Sequence, residues 1–167
     1  LLNAAIEDPN PYLFFEHKAL YRSHKEKIFD DYYTTEVGKA RLVSTGDDLT
    51  IVTYGMGVSW SFDVMEGIQG KTADIIDLRT LQPWDKDAVA DSVKKTNKVI
   101  IVHEDTITGG IGAEISAWIT ENHFEHLDGP VMRVGGLDTP VPFRKELEEN
   151  FMPNSRLKGK IEKLLTF

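Results

Sequence analysis

From residue 40 onward, short runs of β-branched residues alternate with stretches whose apolar residues recur every three or four positions. The first pattern predicts buried strands and the second amphipathic helices. Ala40–Ser44 and Leu49–Tyr54 are β-rich, and Thr45-Gly46-Asp47-Asp48 between them is a hairpin signal. Val58, Phe62, Met65 and Ile68 take helical spacing, with Gly70 as the stop. Ala73–Leu78 is a buried strand. Asp85–Thr96 is a helix, capped by Asp85 with Trp84 as a packing anchor and closed by Lys94 and Lys95, where cations suit the helix dipole. Lys98–Val102 is the next strand, Ile111, Ile115, Trp118 and Ile119 mark a helix, and Pro130–Val134 is the last strand. Leu157, Ile161, Leu164 and Leu165 form the apolar face of a terminal helix. Strands alternating with helices require parallel pairing through crossovers. The pattern therefore predicts a three-layer α/β/α domain with a mostly parallel sheet and one antiparallel edge strand, added by the hairpin.

The first 38 residues read differently. Leu1 to Ile6 looks like the last turns of a helix, broken at Pro9 and Pro11. Tyr12-Leu13-Phe14-Phe15 is a short apolar strand without a neighbour, and a lone strand does not stand by itself. Residues 16–38 are charged and aperiodic, as in a linker, while Tyr21, Phe29, Tyr32 and Tyr33 suit a segment that lies against a surface. The expected division is 1–15 as the tail of a preceding domain, 16–38 as linker and 39–167 as the domain.

Composition narrows the chemistry. With 167 residues, 41% hydrophobic and 28% charged, the chain has the bulk of one ordinary soluble domain. A net charge of −8 argues against nonspecific binding to nucleic acid or an anionic membrane. The absence of cysteine excludes disulfides, thiolate catalysis and cysteine metal sites. No apolar run approaches the roughly 18 residues of a membrane span, and no signal peptide is visible, so the expectation is a cytoplasmic protein.

The densest chemistry lies in His103-Glu104-Asp105-Thr106-Ile107-Thr108-Gly109-Gly110-Ile111-Gly112, which reads as strand end, glycine-rich turn and helix start. Ionisable groups beside free N–H groups there occupy the usual binding edge of an open α/β sheet. The Gly109–Gly112 turn is able to cradle a phosphate, yet it is not G-x-G-x-x-G, and close helix–sheet packing explains it better. His103 and Glu104 have no nucleophile beside them, which favours structural hydrogen bonding at an interface over proton transfer. His123 and His126 are three apart with Glu121, Glu125 and Asp128 around them, a solvated helix end rather than a zinc site. Asp8 and Asn10 offer oxygens to a hard cation but read, alone, as a turn. Asp77 and Arg79 suit an ion pair or a neighbour, and Pro140, Pro142 and Phe143 make a rigid segment suited to an interface or a core lid.

Five motifs in order carry a family likeness: Phe14-Phe15-Glu16-His17-Lys18, Thr50-Ile51-Val52-Thr53-Tyr54-Gly55, Ile76 to Asp85 (IDLRTLQPWD), Val102 to Ile115 (VHEDTITGGIGAEI) and Asp138 to Phe143 (DTPVPF). Together they closely resemble the beta subunit of the thiamine-diphosphate-dependent 2-oxoacid dehydrogenases, the decarboxylating component of the pyruvate and branched-chain complexes. Pro83-Trp84-Asp85 leans toward the branched-chain, 2-oxoisovalerate members.

That resemblance implies a transketolase-type C-terminal domain over 39–167, with 1–15 ending the pyrimidine-binding domain. It implies thiamine diphosphate and magnesium in the parent enzyme, but no catalytic and no cofactor-binding residue in this piece. A structural potassium ion would take mostly backbone oxygens from Ala5, Ile6, Asp8 and Asn10. His103 and Glu104 fall near a subunit interface, and the aromatic end at Phe167 falls near the acyltransferase docking site. The implied partners are an alpha subunit or alpha region, a second beta subunit and the lipoyl-bearing acyltransferase core. The rival reading is a free-standing nucleotide-binding α/β domain using Gly109–Gly112; a third is a pure interaction module working through the terminal helix.

Overall fold

The computed structural model describes residues 1–167. Its element order is α1 (Leu2–Glu7), α2 (Leu20–Ser23), β1 (Arg41–Ser44), β2 (Leu49–Thr53), α3 (Met56–Glu66), β3 (Ala73–Asp77), α4 (Lys86–Thr96), β4 (Val99–Thr106), α5 (Ile111–His123), β5 (Met132–Gly136), α6 (Lys145–Phe151) and α7 (Asn154–Leu164). The five strands form one sheet in the order β1-β3-β2-β4-β5, parallel except for β1, which runs antiparallel to β3. Two cores sandwich it. Ile51, Ile75, Ile100 and Val102 face Leu157, Ile161 and Leu164 of α7, with Trp60, Val64 and Met65 of α3 beside them. Val52, Ile76 and Ile101 face Val89 and Val93 of α4 and Ile115 and Ile119 of α5. Strand residues of alternating parity thus feed opposite helical layers, and the predicted three-layer architecture is the observed one. No helix is long and apolar enough to cross a membrane.

The hairpin expectation fails, although the antiparallel edge it was meant to supply is present. β1 pairs with β3, not with β2. Its connection to β2 passes over the start of β3, where Gly46 N–H donates to Asp74 Oδ1 at 3.0 Å and Asp47 N–H to Thr72 Oγ1 at 3.0 Å. A Cβ on Gly46 would overlap the backbone between Thr72 and Ala73, so the glycine marks a crossing of two chains rather than a tight turn.

Other boundaries shift for local reasons. Tyr12–Phe15 forms no strand: Leu13 and Phe15 are 88% and 87% exposed, with no ladder partner. α3 stops at Glu66 with Gly67 as its cap, and Gly70 instead supplies a left-handed turn (φ 69°) before β3. The last strand lies at Met132–Gly136 rather than Pro130–Val134, because Pro130 has no N–H to give a ladder. α4 behaves as read: Asp85 accepts from Ala88 N–H at 3.1 Å, and Asn97 closes the helix in the left-handed region (φ 60°). Asp85 also accepts from Ala40 N–H at 3.0 Å, tying the entry of β1 to α4.

Two polar devices were invisible in the pattern. Thr50 Oγ1 lies 2.6 Å from Ser92 Oγ and 2.7 Å from Thr96 Oγ1, while Ser92 Oγ donates to buried Asp74 at 2.7 Å, pinning α4 to the sheet. On the other face, the Arg156 guanidinium donates to the carbonyls of Asn150 (2.7 Å), Phe151 (3.1 Å) and Gly135 (2.7 Å). That one side chain joins the ends of β5 and α6 to the start of α7.

Candidate functional site

β4 runs four residues past Val102, where the sequence reading ended it, and this carries His103, Glu104 and Asp105 along the carboxyl edge of the sheet. Its pairing with β5 slips there, from Val102↔Val134 to Thr106↔Gly136. The longer β4 side must bulge, and a bulge re-aims side chains. His103 turns inward and is 0% exposed. Its ring sits among three glycines: a Cβ on Gly110 or on Gly135 would lie 2.8 Å from Cε1, and one on Gly112 would overlap Nε2. The glycine turn is therefore a socket for an imidazole.

His103 Nδ1–H donates to the Asp105 carbonyl at 3.0 Å, which leaves Nε2 as an unprotonated, buried nitrogen without a partner. Burial, with Arg133 nearby, holds this histidine below the usual imidazole range despite the opposing Asp105 contacts. It is a neutral spacer, sealed from solvent and from any nucleophile.

Glu104 and Asp105 face outward, along a cleft of about 310 Å³ that also involves Thr139, Pro140, Phe151 and Met152. Asp138 holds its far rim, accepting from Thr108 N–H (2.9 Å) and Thr108 Oγ1 (2.6 Å). These donors keep the Asp138 carboxyl below the usual range. Tyr54, at the end of β2, is half-buried, and burial together with Asp105 and Glu104 pushes its phenol up to about 12. The edge is thus acidic and apolar. It suits contact with a cationic or apolar surface and does not suit a diphosphate, which the carboxylates would repel.

The remaining candidates lie apart from this edge. No hydrogen bond ends on the Ala5 or Ile6 carbonyls at the end of α1, because Pro9 has no N–H and Asn10 N–H goes to Asp8 Oδ1 at 2.9 Å. Asp8 also accepts from Asn10 Nδ2 (2.7 Å) and Tyr12 OH (2.9 Å), which keep its carboxyl low. Backbone oxygens are therefore open at this loop, while the carboxylate is engaged. Phe167 is 55% exposed, with its ring against Gly129 at the opposite edge of the sheet. His123 stacks edge-on to Trp118 (5.1 Å between centroids), and no group of three metal-ligating side chains exists anywhere in the chain. Asp77 accepts from its own neighbour Arg79 N–H at 3.2 Å, while the Arg79 guanidinium donates to the Lys39 and Ala40 carbonyls. Phe143 is fully exposed and Pro140 lines the cleft. Gly135, the third wall of the histidine socket, was missed; its signal was a glycine inside a strand, which marks close approach.

A family model described as transketolase, C-terminal domain, matches residues 38–156. The chain is 41% identical over 157 residues to the 2-oxoisovalerate dehydrogenase subunit beta of Bacillus subtilis, covering 92% of this chain and 48% of that protein. It is also 41% identical over 170 residues to the pyruvate dehydrogenase E1 component subunit beta of Mycoplasma pneumoniae, covering 99% and 51%. Among solved structures, a split-gene transketolase in an inactive beta4 tetramer superposes with a TM-score of 0.68 at 24% identity, over 84% of this chain and 46% of that one. The chain spans about half the length of the relatives it matches.

Proposed function

The chain belongs to the transketolase C-terminal domain family, and from that premise we propose that it is this domain, with the end of the domain before it, from the beta subunit of a 2-oxoacid dehydrogenase. The parent enzyme would decarboxylate a 2-oxoacid, of the 2-oxoisovalerate or pyruvate type, and pass the acyl group to a lipoyl arm. One observation carries the reading: beta subunits named for these two substrates match the chain at equal identity over nearly all of it. In this division 1–15 closes a pyrimidine-binding domain, 16–38 is linker and 39–167 is the assembly domain.

The piece contributes scaffolding rather than chemistry. Thiamine diphosphate, with its magnesium, supplies an electron sink when bound in the parent; the acidic cleft at Glu104 and Asp105 is no place for it, so no step runs through this chain's own residues. A potassium ion fits better, since the Ala5 and Ile6 carbonyls are without donors. It would sit there with oxygens near Asp8 and Asn10 and others from outside the chain. Glu104, next to the buried His103 in β4, and Phe167 are the surfaces for an alpha subunit or alpha region, a second beta subunit and the acyltransferase core. The cytoplasm is its proposed compartment, as an extension of the bacterial relatives.

The nucleotide-binding alternative loses its main support in the geometry. Gly110 and Gly112 are glycines because His103 fills the space of their missing side chains. Isothermal titration calorimetry of the chain with thiamine diphosphate and magnesium, and separately with a nucleotide, tests the assignment. Silence in both titrations is expected. Tight binding of the thiamine cofactor by this chain alone would overturn the scaffolding role, and micromolar nucleotide binding abolished by Gly110→Val would restore the rival.

A further inference from the structure

Residues 16–27 lie over the carboxyl edge of the parallel strands, and polar side chains hold them there. His17 Nε2–H donates to Glu104 Oε2 at the end of β4, at 2.8 Å. Seven residues on, His24 Nε2 lies 2.8 Å from Ser59 Oγ, in the first turn of α3 just after β2. Ser23 Oγ donates its only proton to the Ala19 carbonyl (2.8 Å), so His24 gives its Nδ1–H to Ser23 while its Nε2 meets the Ser59 hydroxyl. Glu26 then accepts from Arg41 Nη1 at 2.8 Å, and Arg41 opposes Asp77 at the end of β3. The three anchors therefore fall at the ends of β4, β2 and β3 in turn.

The segment is built inside out. Three of its polar side chains reach the domain, while Tyr21 and the flanking Phe15 and Phe29 are largely exposed. Such a segment gains little from apolar burial, and its position depends on hydrogen bonds that water can replace at low cost. The edge it covers is where open α/β sheets take their ligands.

We propose that residues 16–27 form a strap latched over the carboxyl edge by His17–Glu104, His24–Ser59 and Glu26–Arg41, and that access to the ends of β2 and β3 beneath it requires the latch to open. Trypsin reads the latch directly, since Lys18, Arg22, Lys25 and Lys27 are all cleavage sites within the strap. The full chain should be cut there more slowly than a synthetic peptide of residues 12–34. A Glu104→Ala/Ser59→Ala double variant should be cut after Arg22 and Lys25 about tenfold faster than the unmodified chain, at an unchanged domain melting temperature. Equal rates for chain and double variant, or a chain cut as fast as the peptide, would overturn the proposal. Hydrogen exchange on the unmodified chain gives an answer that needs no variant. The Leu20, Tyr21 and His24 amides, bonded to the carbonyls of His17, Lys18 and Leu20, should exchange more slowly than in the peptide, and peptide-like exchange would refute the latch.

Discussion

His103 and the glycines around it show how much a single side chain can dictate. A methyl group on Gly112 would overlap the imidazole, whereas one on Gly159, in the exposed face of α7, would meet nothing within 4 Å. Gly112→Ala should cost about 1–3 kcal/mol through overpacking, and Gly159→Ala should add about 0.5–1 kcal/mol through helix propensity; urea denaturation of the two variants gives both signs. Pairing Gly112→Ala with His103→Ala should recover part of the loss, as expected for two residues in contact. The buried histidine also sets a pH dependence. Its folded value lies below its ordinary one, so the unfolded chain takes the proton first as the pH drops. Stability is then complete above the ordinary histidine value of about 6.5 and declines below it. Melting temperatures of the unmodified chain should therefore fall more steeply from pH 7 to pH 5 than those of His103→Gln. Sequence reading placed His103 and the glycines together but not their reason for being together. The cause is a contact between a strand and a turn that becomes visible only once β4 bulges against β5.

Elements whose ends are fixed by local chemistry were legible from the sequence; elements fixed by neighbours were not. Asp85 caps α4 as its position before an amphipathic run demanded, and the fold gives its second oxygen to Ala40 N–H. Asp85→Ala should lose about 1–2 kcal/mol and Asp85→Asn about half of that, because asparagine keeps only one accepting oxygen. Guanidinium titrations on the two variants distinguish these values. β1 is the counterexample. Its composition and the following Thr45-Gly46-Asp47-Asp48 fit a hairpin, yet the buried carboxylate of Asp74 captures Gly46 N–H and draws the connection across β3. Strand partners are chosen by such distant groups, which no local window contains. The seven residues of α6 escaped notice because only Phe151 among them is buried, too little to set a period.

At the scale of the whole molecule, the terminal helix completes one of the two cores. Leu157, Ile161 and Leu164 are each fully buried, and burial of one such side chain contributes about 1.5–3 kcal/mol. Truncation after Leu164 should leave the far-ultraviolet circular dichroism and melting transition nearly intact. Truncation after Gly159 removes two of the three anchors, about 3–6 kcal/mol, which reaches the lower end of the about 5–15 kcal/mol that holds a domain together, and the melting temperature should fall sharply. The order of layers was legible because each strand's alternation and each helix's stripe agreed; the strap and the cleft were not, since polar side chains that find one another across the fold leave no period. α7 has a further consequence. It starts where the Arg156 fork grips the carbonyls of Gly135, Asn150 and Phe151 beside the cleft, and the chain beyond it ends with Phe167 against Gly129 at the other side of the sheet. A rod of 11 residues, about 16 Å long, thus bridges the two rims. The same helix therefore ties together the chain segments at the two ends of β5.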